Sequence, residues 1–410
     1  MSHTSIAVNM RRERGGGRGL DGSKISATIL PRVVSTCAPF GCPRAILRAR
    51  SRTVVMASYR RWESASYGGP EGLALTTFVP RPLGPSEVLV TVLTATVTYT
   101  DYIVLLGKYT KKFPTPLTPG YDCVARVAAL GAKVTSLAVG DLVAAMPEYG
   151  CFAGALVLQA NACVKLQDAT LPLDKAVCAV LTGSTAYQML HRAVGDRLKA
   201  PGASILVHGA AGGTGAMLVA LAKVAGLTPD RIFGTCGTKN MAAVRAQGAT
   251  PLSYNDTAAP WDKELLRLTG GKGVSCVYDA IVSTDSYLKR GLACLARGGK
   301  YVAYGLTNSD SPGTIHMPSV IAAFLRMKFQ NGVVSCFDGR EAEFFHIAER
   351  RVILPDEFDQ DVRTLMQLVA SGQLDPAIGR TWTFEEAPQA LEAVKARTAL
   401  GKHVLVVSQQ

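Results

Sequence analysis

Residues 204–226 read SILVHGAAGGTGAMLVALAKVAG, and their types and order suit the holding of an anion. Residues 204–208 form a short apolar, β-branched run of the kind that makes a buried strand. Residues 209–215 are a glycine-rich turn, and 216–225 are strong helix formers, apolar nearly all round. Such a strand, turn and helix start bring free backbone N–H groups and the positive end of a helix dipole to one point, as a pyrophosphate requires. Ala210, Gly212, Gly213 and Gly215, with Thr214 among them, follow the GxGxxG dinucleotide fingerprint with Ala in place of the first glycine.

The end of the next strand bears on the choice of dinucleotide. A site for NADH usually places Asp or Glu there, against the ribose 2′-hydroxyl. Here the run is Gly237, Thr238, Lys239, with no acid. An added 2′-phosphate is a dianion that an acid would repel and that Lys239 and Thr238 could hold, so NADPH is expected over NADH. The plainer alternative for Lys239 is a solvated surface lysine.

These residues need elements to position them. The chain has 410 residues, 48% hydrophobic and 18% charged, which allows two domains with real cores and excludes a disordered chain. No uninterrupted apolar run reaches the ~18–20 residues of a membrane span. The ten cysteines include no CxxC pair, which argues for reduced thiols rather than a disulfide framework. The net charge of +13 divides into +8 in residues 1–57 and +5 in the rest. Residues 1–57 are rich in Arg, Ser, Gly and Ala and lack an apolar block, the composition of an organellar transit peptide. Their first ten residues carry no Arg, Lys, Asp or Glu, which leans toward plastid over mitochondrion. An unstructured tail or a misassigned start is the alternative.

Residues 58–178 read as a mostly antiparallel β unit, with strands at 87–97, 123–130 and 142–145. Residues 179–336 alternate strand and helix: strands at 231–235, 250–254, 274–281, 300–305 and 329–334 follow the glycine unit, with helices at 239–247, 261–268, 286–296 and 319–326 between. That order predicts an α/β fold with a doubly wound parallel sheet. Two helices, 359–370 and 384–396, precede a last strand at 401–407 that returns to the first unit, so 337–410 completes it. The run 329–334 is either a sheet edge on which two copies pair as a homodimer or a piece of buried core.

Further motifs are Gly107-Lys108-Tyr109, Thr118-Pro119-Gly120-Tyr121-Asp122, Val139 to Val143, Leu181 to Tyr187, His208 to Gly215, and Gly401-Lys402. In this order they resemble the medium-chain dehydrogenase/reductase superfamily, in its zinc-independent quinone oxidoreductase branch alongside zeta-crystallin. The resemblance runs from about residue 60 to the C-terminus. It implies a GroES-like catalytic domain interrupted by a Rossmann domain, with the active site in the cleft between them.

Zinc members of the superfamily use a Cys ahead of the first-domain helix and a His in a Gly-His-Glu triplet. The matching places hold Thr98 or its neighbours and Gly120-Tyr121-Asp122, so no metal is expected. Without a Lewis acid, the expected reaction is hydride transfer to a quinone or to the β-carbon of an enal or enone, with charge developing on a carbonyl oxygen. The rivals are 2-enoyl-thioester reduction and a non-catalytic, crystallin-like NADPH-binding protein. Relatives that bind RNA or membranes exist, but residues 58–410 show no basic patch interleaved with aromatics, so no nucleic acid is expected.

The resemblance places Tyr109 near the reacting atoms, as a proton donor or as packing. It places Thr98 where the family has Asn beside the nicotinamide, with a hydroxyl that could donate. Tyr121, Lys111 and Lys112 would line the cleft mouth, with plain surface solvation the alternative for the two lysines. Thr185 would lie near the nicotinamide ribose and Tyr254 near the 2′-phosphate. Ile281 and Gly305, at the ends of the fourth and fifth strands, would face the cofactor, and Asp279 either faces it too or is a plain cap.

Overall fold

A computed structural model describes residues 8–10, 26–29, 54–55, 57–168, 170–281, 285–305, 317–396 and 400–407. The targeting segment expected at 1–57 lies largely outside them. Two units are separable, Met1–Tyr59 and Arg60–Gln410. In the first, three short strands, Val8–Met10, Ser26–Ile29 and Val54–Val55, pair antiparallel.

The glycine unit folds as its residues dictate. Strand Ile205–His208 is buried along its whole length, and helix Gly213–Val224 follows the turn. Helix Trp261–Leu268 is amphipathic and buries Trp261 and Leu265. The parallel sheet runs, edge to edge, Thr250–Ser253, Ile232–Cys236, Ile205–His208, Val274–Asp279, Leu295–Ala303 and Glu341–Phe344. The strand order reverses between Ile205–His208 and Val274–Asp279. That switch point opens a crevice at the strands' carboxyl ends, where doubly wound folds bind ligands.

Three expectations are corrected here. The run 329–334 is not a strand: helix Met317–Phe329 continues into a π-turn at Gln330–Val334. Alternation is absent from 329–334, and its apolar residues are not buried as a sheet's would be, since Phe329 and Val333 are exposed. The sixth strand is Glu341–Phe344, downstream of residue 336. The Asn331 carboxamide lies along it, donating to Ala342 O and accepting from Ala342 N–H at 2.7 Å each. That side chain does at Ala342 what a neighbouring strand would do. The fifth strand begins at Leu295 rather than 300 and carries a bulge through Gly298, whose φ is 71°.

The other sheet has seven strands. Its long central strand, Glu87–Val97, pairs antiparallel with Cys123–Leu130 on one side. Its other edge is shared, by Ala155–Gln159 along the first half and by the final strand Lys402–Val406 along the second. Strands Leu142–Ala145, Cys163–Lys165 and Ile378–Thr383 complete the sheet. The C-terminal strand thus returns to the first-domain sheet, as the sequence leads one to expect. Val88, Val90 and Val92 are fully buried and alternate with half-buried residues, the period of a strand with one core face. The chain is therefore α/β, a GroES-like domain with a Rossmann domain. Among the described residues no helix is long and apolar enough to cross a membrane.

Candidate active site

A cleft of 630 Å³ opens at the switch point, lined by both sheets' connections. That volume lies in the usual range of small-molecule and cofactor sites. From the Rossmann side its lining includes Gly209, Gly212, Gly213, Thr214, Gly237, Tyr254, Ile281 and Gly305. From the other side come Thr98, Tyr109, Tyr121, Lys402 and His403, with Thr185 and His346 between.

The glycine turn fits a pyrophosphate. Gly209 takes the left-handed turn, φ 70°, one residue before the Ala that replaces the fingerprint's first glycine. No side chain caps helix Gly213–Val224 at Gly212, and the helix start lines the cleft at Gly213 and Thr214, with the Gly212 N–H given to Gly209 O at 3.0 Å and Gly212 bridged to Gly401. Ala210 and Gly215 do not line it. Ala210 is fully buried and donates its N–H to Thr235 O at 3.0 Å. A Cβ at Gly215 would meet Gly209 O at 2.3 Å, so this glycine lets the helix sit against the turn. The Lys402 stem crosses the turn: a Cβ at Gly213 would meet Lys402 Cδ at 3.0 Å. Lys402 is 6% exposed and puts a cation in the cleft wall.

At the end of the second strand the donors are partly engaged. The Thr238 N–H donates to Asn255 Oδ1 at 3.3 Å, and its hydroxyl bonds Ser253 Oγ at 2.9 Å. Thr238 and Lys239 are exposed and lie outside the cleft lining, whereas Gly237 and Tyr254 form its wall. Asp279 acts as a cap: it is fully buried, accepts the Ile281 N–H at 2.7 Å and the Tyr301 hydroxyl, and so fixes the turn that presents Ile281.

Thr98 is the N-cap of helix Tyr99–Leu105 in a complete capping box. Its hydroxyl donates to Asp101 Oδ2 at 2.8 Å and accepts from the Asp101 N–H at 3.1 Å. The proton expected to be free for a substrate is thus given to Asp101. The Asp101 carboxylate also accepts the Thr98 N–H at 2.7 Å and the Gly120 N–H at 3.1 Å. Burial nonetheless pushes it up to about 6, against those bonds and the nearby Lys402 charge. The Thr185 hydroxyl likewise donates to Leu181 O at 2.7 Å, within a helical stretch interrupted by π-turns. The Leu181 N–H goes to Asp122 Oδ2 at 2.9 Å, which ties this helix to the first-domain sheet.

Tyr109 is different. Its hydroxyl lies 3.0 Å from the Tyr121 hydroxyl and 3.1 Å from His346 Nε2, and all three residues line the cleft. Phe113 stacks on its ring, 6.1 Å between centroids. Burial pushes both phenols up, so each keeps its proton. Lys111 pairs with Glu148 at 3.3 Å, and Lys112 with the Gly107 carbonyl; both are exposed and lie outside the cleft lining, not at its mouth as expected. His346 and the placement of Lys402 were not legible in the sequence. His346 follows the sixth strand and stands 237 positions from Tyr109, with no motif around it.

Two family models match: the alcohol dehydrogenase GroES-like domain over residues 84–197 and the zinc-binding dehydrogenase over 247–405. The chain is 27% identical over 355 residues to the zebrafish (Danio rerio) synaptic vesicle membrane protein VAT-1 homolog, covering 85% of this chain and 70% of that one. It is 29% identical over 295 residues to a 2-haloacrylate reductase of a Burkholderia species (71% and 81%). It is 28% identical over 346 residues to a probable quinone oxidoreductase of Schizosaccharomyces pombe (83% and 95%). Among solved structures, the Escherichia coli quinone oxidoreductase complexed with NADPH superposes with a TM-score of 0.71 at 24% identity, covering 86% of this chain and 100% of that one. The chain belongs to the medium-chain dehydrogenase/reductase superfamily of oxidoreductases, in its zinc-independent, quinone oxidoreductase-like branch. Where zinc members carry a ligand His this chain has Tyr121, and among the described residues no group of three His, Cys, Asp or Glu is gathered as a metal site.

Proposed function

We propose that the protein reduces quinones or α,β-unsaturated carbonyls at the expense of NADPH. The observation that carries this reading is a single cleft lined both by an open, glycine-rich helix start and by the Tyr109 hydroxyl. The dinucleotide, when bound, supplies a hydride. Gly212 and Gly213 would let its pyrophosphate approach the helix start, where the Thr214 N–H faces the cleft, Lys402 would offset its charge, and Gly237 and Tyr254 would flank its adenosine end. The lack of an acid at 237–239 favours NADPH, with Lys239 near enough in sequence to meet a 2′-phosphate. Tyr109 offers a proton to an acceptor oxygen as it gains charge. The likeness to a 2-haloacrylate reductase supports an activated alkene as the acceptor, and the likeness to a quinone oxidoreductase supports a quinone.

Fluorescence titration with NADPH and NADH, then NADPH oxidation with 1,4-benzoquinone, a 2-alkenal and a 2-enoyl thioester, tests this. Tighter NADPH binding and turnover of the first two support it. Turnover of the thioester alone would make the protein an enoyl-thioester reductase, and binding with silence toward all three a non-catalytic NADPH-binding protein. A homodimer and a plastid address are part of the same proposal, checked by sedimentation and by organelle import of the full chain. Pairing through the outer sheet strand requires the Asn331 carboxamide to leave Ala342.

A further inference from the structure

Tyr109 has one hydroxyl proton, one oxygen and two polar neighbours. Its oxygen can accept two hydrogen bonds and donate one. Tyr121 at 3.0 Å and His346 Nε2 at 3.1 Å fill both accepting positions when each presents a hydrogen. The only direction left for the Tyr109 proton is then outward, into the cleft that all three residues line. Tyr121 is 2% exposed and set among core residues, so its hydroxyl is held in place. His346 is half-buried, between the sixth strand and helix Ile347–Ile353, with its ring tilted 38° against that of Tyr109.

We propose that Tyr109, Tyr121 and His346 form a proton-delivery unit, in which Tyr109 gives its proton to the acceptor and His346 restores it. The inference rests on the reductase reading above. An acceptor oxygen that has gained negative charge takes the Tyr109 proton: the Tyr109 O–H bond breaks and an O–H bond forms on the acceptor. The phenolate left behind is held by the Tyr121 O–H. It takes the Nε2 proton of His346 while the imidazole takes one from solvent at Nδ1, so the ring ends with the charge it began with. No electrons move in these steps. Imidazole suits the task because it carries a proton at either nitrogen, whereas a second phenol has one site. Tyr109 is the catalytic residue; Tyr121 and His346 act through it and are positioning residues.

His346→Gln keeps an N–H donor near the same place and removes the exchangeable ring proton. With the full-length protein, NADPH and 1,4-benzoquinone or a 2-alkenal, we expect this variant to lose about tenfold or more in kcat, within the range of general acid catalysis. KM should stay within about threefold, and the solvent deuterium isotope effect on kcat should rise as proton delivery becomes slow. Tyr121→Phe should lower kcat less and leave that isotope effect nearer the parent's. A kcat and isotope effect unchanged in His346→Gln would overturn the proposal. A second readout needs no turnover. In 15N–1H spectra of the histidine rings, the signal lost in His346→Gln identifies His346, and that signal should shift in Tyr109→Phe. A signal that stays put overturns the unit, even in an active reductase. Silence of the parent protein toward every acceptor sinks the reductase reading and the delivery role with it, while a shifted signal would leave the hydrogen-bonded trio standing.

Discussion

A hydroxyl in a cleft is a donor only if its proton is not already given away. Thr98, Thr185 and Tyr109 all line the cleft, yet the first two spend their protons on Asp101 and the Leu181 carbonyl. The sequence could point to residues that line the cleft but not to where their protons point, because the partners are set by helix caps and π-turns. The consequence for Thr98 is specific. Thr98→Ser keeps the capping box and should behave like the parent. Thr98→Ala should cost about 1 kcal/mol of stability, the usual worth of an N-cap. Urea melts of both, set beside kcat, check this: if Thr98→Ala lost over a hundredfold in kcat with its melt unmoved, the hydroxyl would be a reacting group rather than a cap.

Between residue and domain, the glycine unit decides whether the site exists. Gly215 lets helix Gly213–Val224 lie on the turn, with Gly209 O 2.3 Å from where a Cβ would be. Backbone atoms cannot retreat as a side chain can, so Gly215→Ala must push the helix start away from the turn. We expect a loss of roughly 1–3 kcal/mol in stability, typical of overpacking, and NADPH affinity weakened at least tenfold. Calorimetry and titration check both, and parent-like binding would show that the helix start is not where the phosphates sit. This unit was legible in the sequence, though its helix starts three residues earlier than expected, at Gly213; strands Glu87–Val97, Cys123–Leu130 and Leu142–Ala145 and helix Trp261–Leu268 were legible with the observed bounds. Each has a clear period or a clear composition. The half-exposed strands Leu73–Phe78 and Ala155–Gln159 have neither. The run at 329–334 offers only Phe329 and two Val to a strand, and an exposed helix end claims it, with Asn331 then lying along the true sixth strand. His346 could not be found from sequence, since only the folded crevice brings it to Tyr109.

For the molecule as a whole, the final strand holds the design together. Gly401 donates to Ala211 O at 2.9 Å at the glycine turn, and Lys402–Val406 then completes the sheet of the other domain. Within it His403 Nδ1 accepts the Trp382 indole N–H at 2.8 Å, which requires a neutral ring. Burial, with the adjacent Lys402 and Arg380 charges, lowers His403 to about 4. A group depressed in the folded state takes up its proton more readily when unfolded. His403 therefore contributes stability that is whole above about pH 6.5 and is lost as pH falls toward 4, on the order of 3 kcal/mol. His403→Gln keeps an acceptor for Trp382 and removes the titration. Its urea midpoint should fall less between pH 7 and pH 5 than the parent's, a difference in which the opposite trend of Asp101 cancels; equal falls would refute the assignment. The same strand also constrains how the protein is made. One edge of the second half of Glu87–Val97 stays unpaired until residues 402–406 have left the ribosome, some three hundred codons after it was itself translated. A nascent chain in that condition carries an open β edge, and its need for chaperone cover should end only once residues 402–406 have emerged.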